Sequence, residues 1–289
     1  MNSTKKKNSL IKSPLRYPGG KSKAIEKIAR YLPNNLSEYS EYREPFVGGG
    51  SVFIYLKQQY PHLKIWINDL NPELYLFWKI ARSHLQELVK SVGEIKAKYS
   101  EGKELFQELT NVDVKTLSEF DRAVRFFVLN RITFSGTVDS GGYSRQAFTK
   151  RFTDSSLDRL LKLEPILKDI KITNLDYSDL TKDGDSKTFI FLDPPYFTAT
   201  KSKLYGKDGD LHIIFDHQRF AENIKNSPHD WLITYDNCAE IKNNFIDFNI
   251  FEWELQYGMN NYKQKKAAKG SELFITNYSV DRQLKLDIY

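Results

Sequence analysis

Residues Glu41 to Asp69 constrain the fold more than any other stretch of the chain. Glu41 to Phe46 reads as a short strand running into Val47-Gly48-Gly49-Gly50, Ser51 to Tyr60 as a helix, and Leu63 to Ile67 as a second strand ending at Asn68-Asp69. A strand, a glycine turn, a helix and a strand in that order predict a doubly wound α/β sheet. Glycines at such a turn let a ligand approach the backbone, and the helix start offers free N–H groups. Asp69 lies 19 residues beyond Gly50, a spacing that suits an acidic clamp on ribose hydroxyls. The pair points to an adenosine-containing ligand and does not separate a nicotinamide dinucleotide from S-adenosylmethionine.

The α/β pattern is interrupted and then resumes. Upstream, Ser13 to Lys21 carries two prolines and two glycines, which forbid a regular element, and a helix follows with Ile25, Ile28 and Ala29 on one face. From Asn71 to Leu167 helical periodicity dominates, as at Phe120, Val124, Phe127 and Val128. Within it, Arg131 to Arg145 is rich in turn formers, basic and aromatic residues, and reads as a hairpin or protruding loop. Ile170 to Asn174 then reads as a strand leading to Asp176-Tyr177. Thr188 to Leu192 is an apolar strand, followed by a helix near His217 to Asn226 and a strand at Trp231 to Tyr235. Phe248 to Gln256 and Leu273 to Tyr278 read as a closing antiparallel pair. The expected organisation is a catalytic domain over 1–70 and 168–289, with a mostly helical insert over 71–167 and its hairpin or loop near 131–146.

The apolar strand ends in Asp193-Pro194-Pro195-Tyr196, where ligand sites open in such sheets. An aryl amine is a poor nucleophile because its lone pair is delocalised into the ring. A carboxylate at Asp193 and the carbonyl of Pro194 can both accept hydrogen bonds from that amine, draw it towards tetrahedral geometry and stabilise the developing positive charge. Pro194 and Pro195 have no N–H to compete, and Tyr196 offers a flat face to an extruded base. This turn favours methyl transfer over hydride transfer.

Taken together, these motifs resemble the Dam-type (class alpha) DNA adenine-N6 methyltransferases. Ser13-Pro-Leu-Arg-Tyr-Pro-Gly-Gly-Lys21 resembles that family's N-terminal cofactor motif, Arg43 to Phe53 its glycine loop, Ile67 to Asn71 its ribose motif, Leu175-Asp-Tyr177 its adenine-ring contact, and Asp193 to Tyr196 its catalytic motif. The resemblance implies a Rossmann-like methyltransferase sheet with an inserted DNA-recognition domain, S-adenosylmethionine as cofactor and double-stranded DNA as partner. It places Tyr17, Lys21, Phe46, Gly48, Gly49, Gly50, Asp69, Asp176, Tyr177 and Asp193 at the cofactor. Asp193, Pro194, Pro195 and Tyr196 fall at the reacting amine. In the insert, Asn130 to Gly136 resembles the start of the family's recognition hairpin, whereas Thr137 to Arg145 departs from the members that read GATC. Arg131, Ser135, Tyr143 and Arg145 are the expected DNA contacts there. Lys201, Lys203 and Lys207 after the catalytic turn, and Lys265 within the run at Lys263, Lys265, Lys266 and Lys269, are expected at the phosphates.

Composition agrees with a polyanionic partner. The net charge is +6, and Lys and Arg displace condensed counterions from phosphates. No apolar run reaches the ~18 residues that span a bilayer, and the N-terminus lacks the apolar stretch of a secretory signal, so a cytoplasmic protein without membrane contact is expected. The single cysteine, Cys238, has no adjacent proline-cysteine motif, which sets cytosine-C5 chemistry aside. The five histidines show no zinc spacing, and no metal is expected. A cognate restriction endonuclease and a monomeric or weakly dimeric state stand as further expectations. Methylation of cytosine N4 or of an RNA adenine uses the same amine chemistry and stays open, as does a non-catalytic DNA-binding relative.

Overall fold

The computed structural model describes residues 10–138, 141–183, 187–197, 215–256 and 269–281. Seven strands form one sheet: β1 (Glu41–Glu44), β2 (Lys64–Asn68), β3 (Lys171–Thr173), β4 (Thr188–Leu192), β5 (Asp230–Asp236), β6 (Asn249–Gln256) and β7 (Lys269–Thr276), in the order β3-β2-β1-β4-β5-β7-β6. The first five run parallel. β7 inserts antiparallel between β5 and β6, the closing pair expected from the sequence. Every residue of β4 is buried, because parallel strands flanked on both faces read as continuous apolar runs.

The chain leaves β1 in one direction, to β2 and then β3, and returns to the other side of β1 for β4 and β5. A crevice opens where the winding reverses, outside the carboxyl ends of β1 and β4. The glycine turn follows one of those strands and Asp193 the other.

The helices are α1 (Ile25–Ala29), α2 (Ser51–Gln59), α3 (Pro72–Ser83), α4 (Leu85–Lys98), α5 (Gly102–Asn111), α6 (Glu119–Ile132), α7 (Arg145–Arg151), α8 (Asp154–Leu161), α9 (Glu164–Leu167), α10 (His217–Lys225) and α11 (Ala239–Asn244). Local chemistry sets their starts. Asn71 accepts from the amides of Glu73 and Leu74 and is followed by Pro72, Ser118 accepts from Asp121 N, and Asp216 accepts from Arg219 N, each satisfying a donor the first turn leaves open. Leu74, Phe77 and Trp78 of α3 and Phe126 and Phe127 of α6 share one buried cluster with Tyr42 of β1 and Phe53 of α2. The apolar core is therefore continuous from the sheet into the helical segment.

The segment expected as a hairpin or protruding loop follows directly on α6. α6 runs on through Ile132, and a single antiparallel bridge joins Thr133 to Tyr143 before α7 begins at Arg145. Ser135 sits at the tip of a 3₁₀ turn with φ +56°.

The N-terminal stretch is tied to α6. Arg16 N donates to Asn130 Oδ1 at 3.0 Å, Asn130 Nδ2 donates to Arg16 O at 2.6 Å, and Arg131 Nη1 donates to Pro14 O at 2.7 Å. Tyr17 then lies against the glycine turn, 3.0 Å from where a Cβ on Gly48 would stand.

Candidate active site

β1 delivers the chain to Pro45, Phe46 and the glycine turn. Gly50, the first residue outside α2, has φ +71°, and a Cβ on it would stand 2.4 Å from Phe53 Cε1 and 2.7 Å from Trp78 Cζ2. Both the backbone angle and the crowding require glycine there. Trp78 Nε1 donates to Gly48 O at 3.2 Å, which fixes the turn from beneath.

Asp69 faces that turn from the end of β2. Its Oδ2 accepts from Gly48 N at 3.0 Å and its Oδ1 from Asn71 N at 3.0 Å. Burial pushes its carboxyl up to about 6, against the pull of those two amides. The neighbouring Asn68 side chain is buried and bonds Pro45 O, Leu175 O, Leu175 N and Thr173 Oγ1. It ties the loops after β1 and β3 together.

A ring wall follows. Phe46 stacks on Tyr177 with centroids 5.5 Å apart, and Phe215 and Phe220 close around both. Asn223 donates to the Tyr177 hydroxyl at 3.1 Å. Asp176 takes both guanidinium nitrogens of Arg219, at 2.8 and 3.1 Å, and the same guanidinium lies 5.3 Å over the Tyr177 ring. Despite partial burial, hydrogen bonds from Arg219 and Ser178 hold the Asp176 carboxyl below the usual carboxylate range.

At the end of β4, Asp193 Oδ1 accepts from Thr234 Oγ1 at 2.7 Å and pairs with Lys21 Nζ at 2.8 Å. Lys21 is only 4% exposed. Its ammonium also donates to Gly19 O at 3.0 Å and lies 5.0 Å from the Tyr196 ring centroid. The Tyr196 hydroxyl donates to Glu272 Oε2 on β7 at 2.8 Å, and Phe197 N donates to Asp236 Oδ1 at 3.0 Å.

One cavity of about 880 Å³ brings most of these groups together. Its lining includes Tyr17, Lys21, Phe46, Gly48, Gly49, Gly50, Asp69, Asp176, Tyr177, Asp193, Pro194, Pro195 and Tyr196. Every residue expected at the cofactor or the amine therefore faces a single space. The sequence reading does not single out Asn68, Arg219, Thr234 or Glu272. Asn68 stood beside Asp69 in the sequence and was the one with a local signal; the others come in from separate strands and helices.

The expected DNA contacts separate. Arg131 is 3% exposed, inside α6, with its guanidinium taken by Pro14 O and by Arg151 O at 3.0 Å. Burial pushes it down to about 9, and Arg16, Arg159 and Arg151 add repulsion. It is the anchored centre of a basic cluster. Ser135 and Tyr143 are half-buried and Arg145 is exposed; Tyr143 lies against Phe106 at 6.2 Å. Phe134, beside Ser135, is 65% exposed. Lys201, Lys203, Lys207, Lys263, Lys265 and Lys266 lie outside the described residues, and so does the side chain of Lys269. Among the described residues no cluster of His, Cys, Asp and Glu could hold a metal ion, and no helix is long and apolar enough to cross a membrane.

Comparison with known proteins agrees with this geometry. The chain is 29% identical to the type II methyltransferase M.MjaIII of Methanocaldococcus jannaschii, over 68% of this chain and 72% of the relative. It is 24% identical to the type II methyltransferase M1.LlaDCHI of Lactococcus lactis, over 96% of this chain and 99% of the relative. It is 24% identical to the DNA adenine methylase of Escherichia coli, over 76% of this chain and 81% of the relative. Residues 17–259, from the tyrosine on the glycine turn to beyond β6, match the family described as D12 class N6 adenine-specific DNA methyltransferase, and the chain belongs to that family.

Proposed function

We propose that this DNA adenine-N6 methyltransferase takes its methyl group from S-adenosylmethionine and acts on an adenine swung out of double-stranded DNA into the cavity between the glycine turn and Asp193. The observation that carries the reading is that these two turns follow adjacent parallel strands, β1 and β4, and share one cavity. The cavity fits the cofactor chemically: a carboxylate at Asp69 for ribose hydroxyls, the Phe46–Tyr177 wall for an adenine ring, and Asp176 for its amine. S-adenosylmethionine, when bound, supplies a methyl group on a cationic sulfur. Asp193 and the Pro194 carbonyl accept the hydrogen bonds of the target N6 amine and return its lone pair to nitrogen, and Tyr196 supports the extruded ring. Incubation with unmethylated duplex DNA and labelled cofactor, followed by digestion to nucleosides, is expected to yield N6-methyladenine. Label in N4-methylcytosine, or only in RNA, would reject the reading.

Asp69 supplies a further test. Asp69→Ala is expected to weaken cofactor binding roughly 10- to 100-fold, the worth of one or two hydrogen bonds to a charged group, and calorimetry showing equal affinity would remove it from the ribose. The carboxylate is the accepting form, and its folded value is about 6. Cofactor affinity of the unaltered enzyme is therefore expected to fall as pH drops through about 6 and to be flat above 7.

The proposal extends to DNA. Residues 71–167 form the recognition segment, built on α3 to α9, with the exposed Phe134 ring as an apolar contact for the bases. Among the described residues, no ion pair joins Arg16, Arg131, Arg151 or Arg159 to a carboxylate. Three guanidiniums gathered around a fourth, buried one suit a backbone phosphate. Arg151→Gln is expected to lower DNA affinity uniformly across sequences and to reduce the slope of log K against log salt by roughly one. A slope unchanged by that substitution would place the phosphate elsewhere.

A further inference from the structure

Glu272 is a buried carboxyl that the chemistry above does not use. It stands on β7, opposite Asp236 of β5 and Trp253 of β6 in the strand register, and is 1% exposed. Its Oε2 holds the Tyr196 hydroxyl at 2.8 Å. Lys21 is the charge that favours its ionised form, while Asp193 and Asp236 oppose it. The groups facing it include Lys21 from the N-terminal turn, Asp193 and Tyr196 from the turn after β4, Asp236 from β5 and the apolar Trp253 from β6.

The arrangement poses a problem for the reaction. Lys21 Nζ sits 2.8 Å from Asp193 Oδ1, and a buried ammonium in that place draws electron density from the oxygen pair that must grip the amine. During transfer the N6 lone pair would form the new N–C bond as the C–S bond breaks with its pair going to sulfur, and one proton of the methylated N6 would then pass to solvent. Positive charge gathers on N6, beside Asp193, and a carboxylate already neutralised by Lys21 stabilises it poorly. A second carboxylate, held by the hydroxyl of the same Tyr196 ring that lies 5.0 Å from Lys21 Nζ, offsets that loss.

We infer that Glu272 is a positioning residue for methyl transfer: it fixes the Tyr196 ring through the hydroxyl and counterbalances Lys21, leaving Asp193 a full-strength acceptor for the target amine. The role rests on Asp193 being that acceptor. Burial raises the Glu272 carboxyl to about 7, with Lys21 and Tyr196 pulling it down. Protonation keeps an oxygen for Tyr196 but removes the counterbalance. The sign follows: turnover falls as pH drops through about 7 and is regained above it.

The test uses the full chain, unmethylated plasmid DNA and tritiated cofactor, with kcat measured at saturating concentrations from pH 6 to 9. Glu272→Gln preserves shape and an acceptor for the Tyr196 hydroxyl. At pH 8 it is expected to lower kcat by roughly tenfold with KM for both substrates little changed, and to abolish the acid limb near pH 7. Wild-type kcat together with a wild-type limb would overturn the inference. Should the variant lose its cooperative melt, the unaltered enzyme decides alone, because a kcat flat from pH 6 to 8.5 also overturns it. Asp193→Ala separates the two readings. Activity in that variant sinks the assignment of the acceptor, whereas an inactive Asp193→Ala beside a fully active Glu272→Gln sinks only the role of Glu272.

Discussion

Asp193→Ala is expected to lower methyl transfer by at least ~10²–10³-fold, the cost of removing one preorganised group aimed at a developing charge. The loss should lie in kcat, because Asp193 acts where charge appears on the amine and not where cofactor or DNA backbone is held. Cofactor affinity by calorimetry should change far less, since the glycine turn, Asp69 and the Phe46–Tyr177 wall are untouched. The fold should survive. The altered side chain lines a cavity, and Lys21 keeps its bond to Gly19 O. Turnover within tenfold of the unaltered enzyme would reject the assigned role. A collapsed melting transition would instead show that the Lys21–Asp193 pair is a structural requirement.

Trp78→Ala is expected to have the largest effect on stability. The indole is fully buried, lies edge-on to Phe53 at 5.2 Å and to Phe77 at 5.1 Å, and anchors Gly48 O. Truncating a buried tryptophan costs about 3–5 kcal/mol through lost burial and the cavity left behind. For a chain of this size that lowers the melting temperature on the order of 10 °C. Its position beneath the glycine turn adds a second consequence: cofactor affinity should fall too, because the turn loses both its floor and the donor to Gly48 O. Trp78→Phe should recover most of the stability and less of the affinity. A melting temperature within 2 °C of the parent for Trp78→Ala, outside the ~3–5 kcal/mol range, would contradict this account of the turn.

The parts of the site that could be read from the sequence are those encoded by neighbours. β1, the glycine turn, α2, β2 and Asp69 are contiguous, so their spacing carries the geometry. Asp193 to Tyr196 is a rigid turn at a strand end and is likewise local. The closing pair β6 and β7 was legible as two late strands, with the start of β7 expected at Leu273 and found at Lys269. Arg131 was not. The turn formers after it suggest a loop, yet Val128, Leu129 and Ile132 are apolar at helical spacing and buried, and they carry α6 past the arginine. The carbonyls that hold its guanidinium come from Pro14 and Arg151, 117 and 20 residues away. Glu272 was equally hidden. It is one glutamate on a short strand, and its meaning comes from Tyr196, 76 residues earlier in the chain. Arg219 acquires its role only when α10 sets it across from Asp176. Contacts of this kind depend on strand order, which no local pattern prints.

The tie between residues 14–16 and α6 has a mechanical consequence. Pro14 and Arg16 are fastened to Arg131 and Asn130, and the very next residue, Tyr17, rests on the glycine turn. A displacement of α6 is therefore expected to be passed through these bonds to Tyr17, which lines the cavity. If the helical segment grips DNA as proposed, Asn130→Ala is expected to weaken DNA affinity and cofactor affinity together, because it releases the segment that carries Tyr17.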